Sequence, residues 1–114
     1  MVGYTPDRGD IVWMSFDPQM GHEQSGVRPA VILSPIAYNA RVGLALMCPI
    51  TSKSKGFLFE VAIPESLSDY VTGVVLSDQV KSFDWRARRA EYIVRLPDET
   101  LALVTAKLLA ILDQ

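Results

Sequence analysis

Cysteine and histidine are almost absent from this sequence: Cys48 is the only cysteine and His22 the only histidine. A single cysteine excludes an intrachain disulfide and a cysteine-rich zinc site, and it is typical of proteins kept in a reducing cytoplasm. One histidine excludes a catalytic mechanism that needs two. Since a zinc site would then depend mainly on carboxylates, and the sequence has no suitable carboxylate cluster, we expect no metal and no cofactor.

Long apolar runs are also lacking. No segment of membrane-spanning length is free of charge. The opening residues, MVGYTPDRGD, carry charge and proline where a secretory signal needs an apolar run. The sequence therefore predicts a soluble, cytoplasmic protein that does not contact a membrane.

An excess of positive charge is missing as well, because the net charge is −2 at neutral pH. The protein as a whole has no field that attracts a polyanion, so any binding of nucleic acid must depend on a local patch. The stretch from residue 53 to residue 89 offers such a patch, since it contains the basic residues Lys53, Lys55, Lys81, Arg86, Arg88 and Arg89.

Apolar and β-branched residues are plentiful. The chain is 49% hydrophobic, which is enough for a domain with its own core. Its 114 residues are too few to expect two domains, so we expect a single domain over residues 1–114. Turn-forming residues separate six short segments that are typical of strands, at 10–16, 28–34, 44–50, 57–63, 74–80 and 90–96.

The last segment has a different period. From Asp98 onward apolar residues recur at helical spacing without Gly or Pro, which predicts a terminal helix that either Asp98 caps or Pro97 begins. Together with the six strands, this pattern predicts a mainly β domain. We expect a small twisted antiparallel sheet curled into a barrel, followed by one C-terminal α-helix.

Arg28 lies at the junction between a stretch of polar residues and glycines, 21–26, and a predicted apolar strand. Pro29 follows it and keeps its backbone extended. A planar guanidinium held at a strand edge is suited to gripping a phosphate at two points. The simpler interpretation is a surface arginine paired with Glu23 or Asp17.

Two further stretches combine groups that bind phosphates or bases. Residues 49–56, PITSKSKG, end a strand in hydroxyls, lysines and a glycine, which together can bind phosphate oxygens. Residues 78–89, DQVKSFDWRARR, interleave aromatic and basic side chains, as surfaces do that stack bases and pair with phosphates. The simpler interpretations are a solvated loop for the first stretch, and core positions for Phe83 and Trp85 in the second.

Four motifs, in order and spacing, resemble the MazF/PemK family of toxin endoribonucleases: GDIVW at 9–13, GVRPAVILS at 26–34, PITSK at 49–53 and DQVKS at 78–82. The resemblance implies an SH3-like β-barrel of the MazF/PemK/CcdB type that forms a homodimer. It also implies metal-independent, sequence-specific cleavage of single-stranded RNA that leaves a 2',3'-cyclic phosphate and a 5'-hydroxyl. A cognate antitoxin would hold the protein inactive.

The resemblance assigns the catalytic pair to Arg28 and Thr51, and it associates Glu23 and Gln24 with the active site. Attack by the adjacent 2'-hydroxyl requires removal of its proton, stabilisation of an anionic phosphorus and protonation of the departing 5'-oxygen. Because arginine is treated as always protonated, we expect Arg28 to act as an electrostatic clamp and proton donor rather than as the base. Glu23 is the first candidate for the base and His22 the second.

The RNA-binding residues that we expect are Gln24, Ser52, Lys53, Lys55, Gln79, Lys81 and Arg86, with the basic side chains on the RNA backbone and Gln79 at a base edge.

Two other functions remain open at this point. A toxin of the same fold can inhibit DNA gyrase by binding it, without cutting RNA, and a third possibility is a nucleic-acid-binding module without catalysis. The terminal helix leaves a similar choice. Leu103 and Leu109 lie outside its main apolar stripe, so the helix either packs against a second subunit as well or only seals its own barrel.

Overall fold

The computed structural model describes residues 3–17 and 26–113. They form seven strands, two α-helices and one short 3-10 helix: β1 (Asp10–Ser15), β2 (Val27–Ile32), α1 (Ile36–Val42), β3 (Ala45–Thr51), β4 (Glu60–Ala62), the 3-10 helix (Glu65–Leu67), β5 (Val74–Leu76), β6 (Lys81–Phe83), β7 (Glu91–Arg95) and α2 (Asp98–Leu112). Within these ranges no helix combines the length and the hydropathy that a membrane crossing requires.

The strands form one antiparallel sheet in the order β4-β5-β3-β2-β1-β7. β6 pairs with the first half of β3, while β5 pairs with its last two residues. The predicted mainly β fold with a C-terminal helix is confirmed. Among the described residues β4 and β7 end the strand order without pairing to each other, so the twisted sheet is left unclosed there.

Both faces of the central strands are buried. On β1, Ile11 packs into one apolar cluster, whereas its neighbours Val12 and Met14 pack into a second. This division follows from strand geometry, because successive side chains point to opposite faces. The first cluster is closed by α2, through Leu101 and Val104. The second is covered by segments outside the helix.

Helix α1 and strand β6 were not predicted from the sequence. α1 is only seven residues long, between an extended Pro35 and a left-handed Gly43 (φ 82°), which is too short for apolar periodicity to stand out. It is held by Asn39, whose fully buried side-chain amide donates to the carbonyls of Pro6 (2.8 Å) and Ser34 (2.9 Å). β6 has three residues and falls beyond the predicted strand 74–80, which in the structure ends at Leu76.

The start of α2 matches neither of the two predicted alternatives. Pro97 precedes the helix in an extended conformation (φ −58°, ψ 144°), Asp98 is the first helical residue, and no side chain in the described ranges caps the helix. Asp98 and Glu99 instead place negative charge in the first turn, where the helix dipole favours it. Leu103 and Leu109 are 56% and 54% exposed, so they add nothing to the core of their own chain.

Candidate active site

The structure brings Arg28 and Thr51 to adjacent strand ends. The last residues in register between β2 and β3 are Ala30 and Pro49, and Arg28 and Thr51 each lie two residues beyond that pair. Because strand side chains alternate with a period of two, both side chains point to the face that Ala30 occupies. This face carries the second apolar cluster.

Neighbouring strands fix the position of this pair on the sheet. Arg28 pairs with Met14 of β1, which is 1% exposed, so one end of the site rests on the buried core. Lys81 pairs with Met47 on the other side of β3 and therefore shares the same face. Thr51 lies four steps along β3 from Met47, which corresponds to about 13 Å along the strand. Lys81 thus lies on the face of Arg28 and Thr51, at some distance from them.

Thr51 is 7% exposed, so its side chain is largely shielded from solvent. Its Oγ1 accepts the backbone N–H of Lys53 at 3.2 Å, which ties the start of the following loop to the end of β3. The hydroxyl hydrogen remains available for donation to a phosphate oxygen. A threonine placed in this way can act as a positioned donor.

The loop after β3 is organised by a single carboxylate. Glu60 accepts the Ser54 hydroxyl (2.7 Å) and the backbone N–H groups of Lys55 (3.0 Å) and Gly56 (3.2 Å). These hydrogen bonds, with that from Ser54 the most important, hold the pKa of the Glu60 carboxyl below its usual value. These bonds to Glu60 hold the backbone of the loop in place, while the side chains of Ser52, Lys53 and Lys55 are exposed to solvent.

A groove of about 370 Å³ lies at this end of the sheet. Arg28 and Ser52 both line it, and Thr51 comes between two of its lining residues, Ile50 and Ser52. We call it the Arg28 groove; the remaining lining residues are Trp13, Val27, Pro29 and the segment 68–72. The predicted catalytic arginine and the loop that follows Thr51 therefore open onto one cavity.

Glu23, Gln24 and His22 lie outside the described residues, as does the alternative that pairs Arg28 with Glu23. The two ends of the segment that carries them are fixed. Phe16 donates its N–H to the carbonyl of Gly26 (2.8 Å), and the Gly26 N–H donates to the Asp17 carboxylate (2.8 Å).

Arg88 contacts the Ser15–Asp17 backbone at one of these two ends and was missed as a positioning residue. Its Nη1 donates to the backbone carbonyls of Ser15 (3.0 Å) and Asp17 (2.8 Å), and its guanidinium lies 3.7 Å from the centre of the Phe83 ring. The alternation of basic and aromatic residues did indicate this stretch, but as a surface for RNA. The contact with Ser15 and Asp17 spans more than 70 residues of chain and depends on the tertiary fold.

Gln79 lies two residues before Lys81, and its side-chain Oε1 is buried without a hydrogen-bond partner in the part of the chain that the structure describes. A buried acceptor without a partner is costly, so it gains most from a ligand that donates to it. The exocyclic amino group of a base is such a donor.

Arg86 is not brought to the Arg28 groove. It lines a second cavity of about 470 Å³, which we call the Arg86 cavity, together with Tyr4, Thr5, Trp85, Arg89 and Ala90. Trp85 is 4% exposed and donates its Nε1–H to the carbonyl of Asn39 at 3.0 Å, so the interpretation of Trp85 as a core residue is confirmed. Phe83 is half-buried and packs edge-on against Phe16 with ring centres 5.3 Å apart.

Comparison with known proteins identifies the family. The model of the PemK-like, MazF-like toxins of type II toxin–antitoxin systems matches residues 7–112. The chain belongs to this family.

Within the described residues, no group of three or more His, Cys, Asp and Glu side chains is placed to hold a metal ion.

Individual relatives in the PemK/MazF family cover nearly the whole chain. It is 49% identical to the endoribonuclease toxin MazF of Escherichia coli K12 over 105 residues, 92% of either protein, and 39% identical to the endoribonuclease toxin ChpB of the same strain over 113 residues, 94% of either protein. The crystal structure of MazF from Deinococcus radiodurans superposes with a TM-score of 0.93 at 51% identity, covering 98% of this chain and all of that one. A MazE–MazF crystal structure from the same organism matches with a TM-score of 0.87 at 51% identity, over 98% and 99% of the two chains.

Proposed function

We propose that this protein is the toxin of a type II toxin–antitoxin system and an endoribonuclease that cleaves single-stranded RNA at short sequences, without a metal. The observation that carries the proposal is the position of Arg28 and Thr51 at adjacent strand ends of a PemK/MazF-family fold, on one face of the sheet. The curated relatives named above are endoribonucleases.

The chemistry is an internal transesterification. The 2'-oxygen attacks phosphorus and forms a new P–O bond as its proton passes to a base, while the bond from phosphorus to the 5'-oxygen breaks and that oxygen takes up a proton. The products are a 2',3'-cyclic phosphate and a 5'-hydroxyl. Arg28 stabilises the negative charge that develops on the phosphoryl oxygens and can protonate the leaving oxygen, and the Thr51 hydroxyl donates to the same group. We assign the base to Glu23.

Substrate binding uses the charges around this pair. Lys53 and Lys55 project from the loop held by Glu60, and Lys81 lies on the same sheet face, so the three can contact phosphates on either side of the cut. Ser52 adds a hydroxyl in the groove. Gln79, with its buried acceptor, is our candidate for recognition of a base, and Gln24 is also assigned to RNA binding.

The partners follow from the family and from the exposed apolar surface. The MazE–MazF complexes of Deinococcus radiodurans support a cognate antitoxin as the protein that holds this toxin inactive. We also propose a homodimer, in which the exposed leucines of α2 (Leu103, Leu109 and Leu112) are covered by the second subunit. A cytoplasmic location is part of the same proposal, because mRNA and antitoxin would be met there.

Inhibition of DNA gyrase by binding alone has less support. The fold is compatible with it, but the relatives that cover this chain are named endoribonucleases, and the Arg28 and Thr51 pair serves no evident purpose in docking to a protein.

The test is incubation of the purified protein with a mixed-sequence single-stranded RNA in excess chelator, followed by analysis of the fragment ends. We expect discrete cuts at one short sequence, with cyclic phosphate on one fragment and a free 5'-hydroxyl on the other. Intact RNA under these conditions, together with inhibition of gyrase supercoiling, would establish the alternative. RNA binding without cleavage would leave only a binding module.

A further inference from the structure

The Arg86 cavity holds two guanidinium groups that have no carboxylate partner among the described residues. Among the described residues, ion pairs join Arg95 to Asp10 and to Asp98. Neither Arg86 nor Arg89 takes part in them. Two acidic residues lie close by in sequence: Asp84 accepts the backbone N–H groups of Arg86 and Ala87, and Glu91 forms no ion pair with either arginine among the described residues. Two exposed arginines in one concave site form a local positive patch on a protein whose net charge is negative.

Aromatic side chains line the same cavity. The Arg86 guanidinium lies 5.0 Å from the Trp85 ring centre, a distance typical of cation–π contact, and the buried Trp85 ring cannot move away from it. Tyr4 is held by a hydrogen bond from its hydroxyl to the Asp10 carboxylate and by edge-on contact with Tyr92 at 5.9 Å. The cavity therefore offers two guanidinium groups beside aromatic rings, in a volume of about 470 Å³ that suits a small ligand or one nucleotide of a longer one.

The cavity lies close to the proposed catalytic arginine. Arg28 flanks β1 on one side, where it pairs with Met14. The turn before β7 flanks β1 on the other side, since Ser15 donates its N–H to the carbonyl of Arg88 at 3.5 Å. Adjacent strands are about 4.8 Å apart, so the backbone near Ala90, which lines the cavity, lies about 10 Å from that of Arg28. A single RNA strand crosses such a distance within a few nucleotides.

We propose that the Arg86 cavity is an accessory subsite for the RNA substrate, which holds a flanking nucleotide outside the cleaved sequence. Arg86 and Arg89 bind the phosphodiester of that nucleotide, and its base packs against Tyr4 and the Arg86–Trp85 pair. The combination of guanidinium and aromatic groups matches the alternation of phosphate and base in single-stranded RNA better than it matches an acidic peptide, which has no rings to stack. This inference rests on the proposed function.

The experiment compares two RNAs that contain the sequence cut by the wild-type protein, one with minimal flanks and one extended by about four nucleotides on each side. The variant is Arg86→Gln/Arg89→Gln. Its matched control is Arg8→Gln/Arg41→Gln, which removes two exposed arginines that line neither cavity. For the long RNA we expect KM to rise by about tenfold in the variant with kcat unchanged, and for the short RNA we expect no change. The control should match the wild type on both.

Two further readouts separate charge from folding. The dependence of the long-RNA affinity on salt should become shallower, by about 0.7 in log–log slope for each phosphate that the variant no longer neutralises. Arg86→Lys/Arg89→Lys keeps the charges and should recover most of the affinity, and the melting temperature of all variants should equal that of the wild type.

Each failure has its own meaning. If the wild type cuts no site in a mixed-sequence RNA, so that neither substrate can be designed, the proposed function is wrong. If it cuts both and the glutamine variant changes both KM values equally or neither, the subsite is wrong and the proposed function stands. Loss of binding to the antitoxin with normal KM for the long RNA would assign the cavity to the protein partner and overturn the inference.

Discussion

A methyl group on Gly73 would lie 2.1 Å from the backbone carbonyl oxygen of Thr51, far inside van der Waals contact. Gly73 has φ +114° and directly precedes β5, whose first residue, Val74, pairs with Thr51. The absence of a side chain at position 73 therefore lets β5 close against the strand end that presents the Thr51 hydroxyl. The site and the sheet depend on the same close approach.

Gly73→Ala should be strongly destabilising, because the atom it meets is backbone that cannot rotate away and because the backbone conformation at Gly73 is unfavourable for alanine. We expect a loss of about 3 kcal/mol or more in the free energy of unfolding, measured by denaturant titration. Gly43→Ala is the matched control. Gly43 also has positive φ (82°) but nothing lies within 4 Å of the added methyl, so it should lose only about 1–2 kcal/mol. Equal losses at the two positions would show that the contact with Thr51 is unimportant.

Arg28→Ala should lower kcat for RNA cleavage by about 100- to 1,000-fold, the usual effect of removing one preorganised group that stabilises transition-state charge. The melting temperature should not fall, since Arg28 occupies the strand end rather than the core. Arg41→Ala, at an exposed position on α1, is the control and should cut at the wild-type rate. Normal turnover by Arg28→Ala would remove this residue from the mechanism.

Thr51 can be tested with two substitutions of similar size. Thr51→Val removes the hydroxyl, and with it the acceptor for the Lys53 N–H, so we expect about 1 kcal/mol lower stability and a fall in kcat of about 100-fold. Thr51→Ser keeps the hydroxyl and should retain most of the activity. Single-turnover rates separate the two effects, and similar rates for both variants would mean that packing rather than donation matters at this position.

The loop that carries Lys53 and Lys55 should loosen in acid. The native hydrogen bonds from Ser54, Lys55 and Gly56 lower the pKa of Glu60, so the folded state favours the ionised carboxyl. The stability that this group contributes is present above its unfolded pKa and is lost as the pH falls through its lower folded pKa. An NMR titration of the carboxyl, read together with the amide signals of Lys55 and Gly56, should show one shared midpoint below the usual value for glutamate. In Glu60→Gln those amide signals should not titrate.

Cys48 should be inert in the native protein. It is fully buried, and burial raises the pKa of its thiol to about 12, so the reactive thiolate is scarce at neutral pH. Labelling by a thiol reagent should be slow in the absence of denaturant and complete once the chain is unfolded. Rapid labelling of the native protein would show that the sheet opens locally around β3.

The local pattern was sufficient for the strands that build the core. β1, β2 and β3 were predicted to within two residues at either end, because apolar and β-branched runs with clear turn residues leave few alternatives. It was insufficient for α1 and β6, which are too short to show a period. They are specified instead by contacts distant in sequence, such as the bonds of Asn39 to Pro6 and of β6 to β3.

The residue types at the site were evident from the sequence, because a guanidinium before proline and a hydroxyl at a strand end are local features with a definite chemistry. Their convergence was not, since it requires the register of β2 on β3, which the whole sheet determines. The same holds for the basic residues between positions 53 and 89. Lys81 shares the face of Arg28, Arg88 donates to the backbone of Ser15 and Asp17, and Arg86 lies in a separate cavity. The charge and chemical type of each side chain are set by the sequence. The direction in which a side chain points and the residues that it contacts are set only when strands far apart in sequence pair.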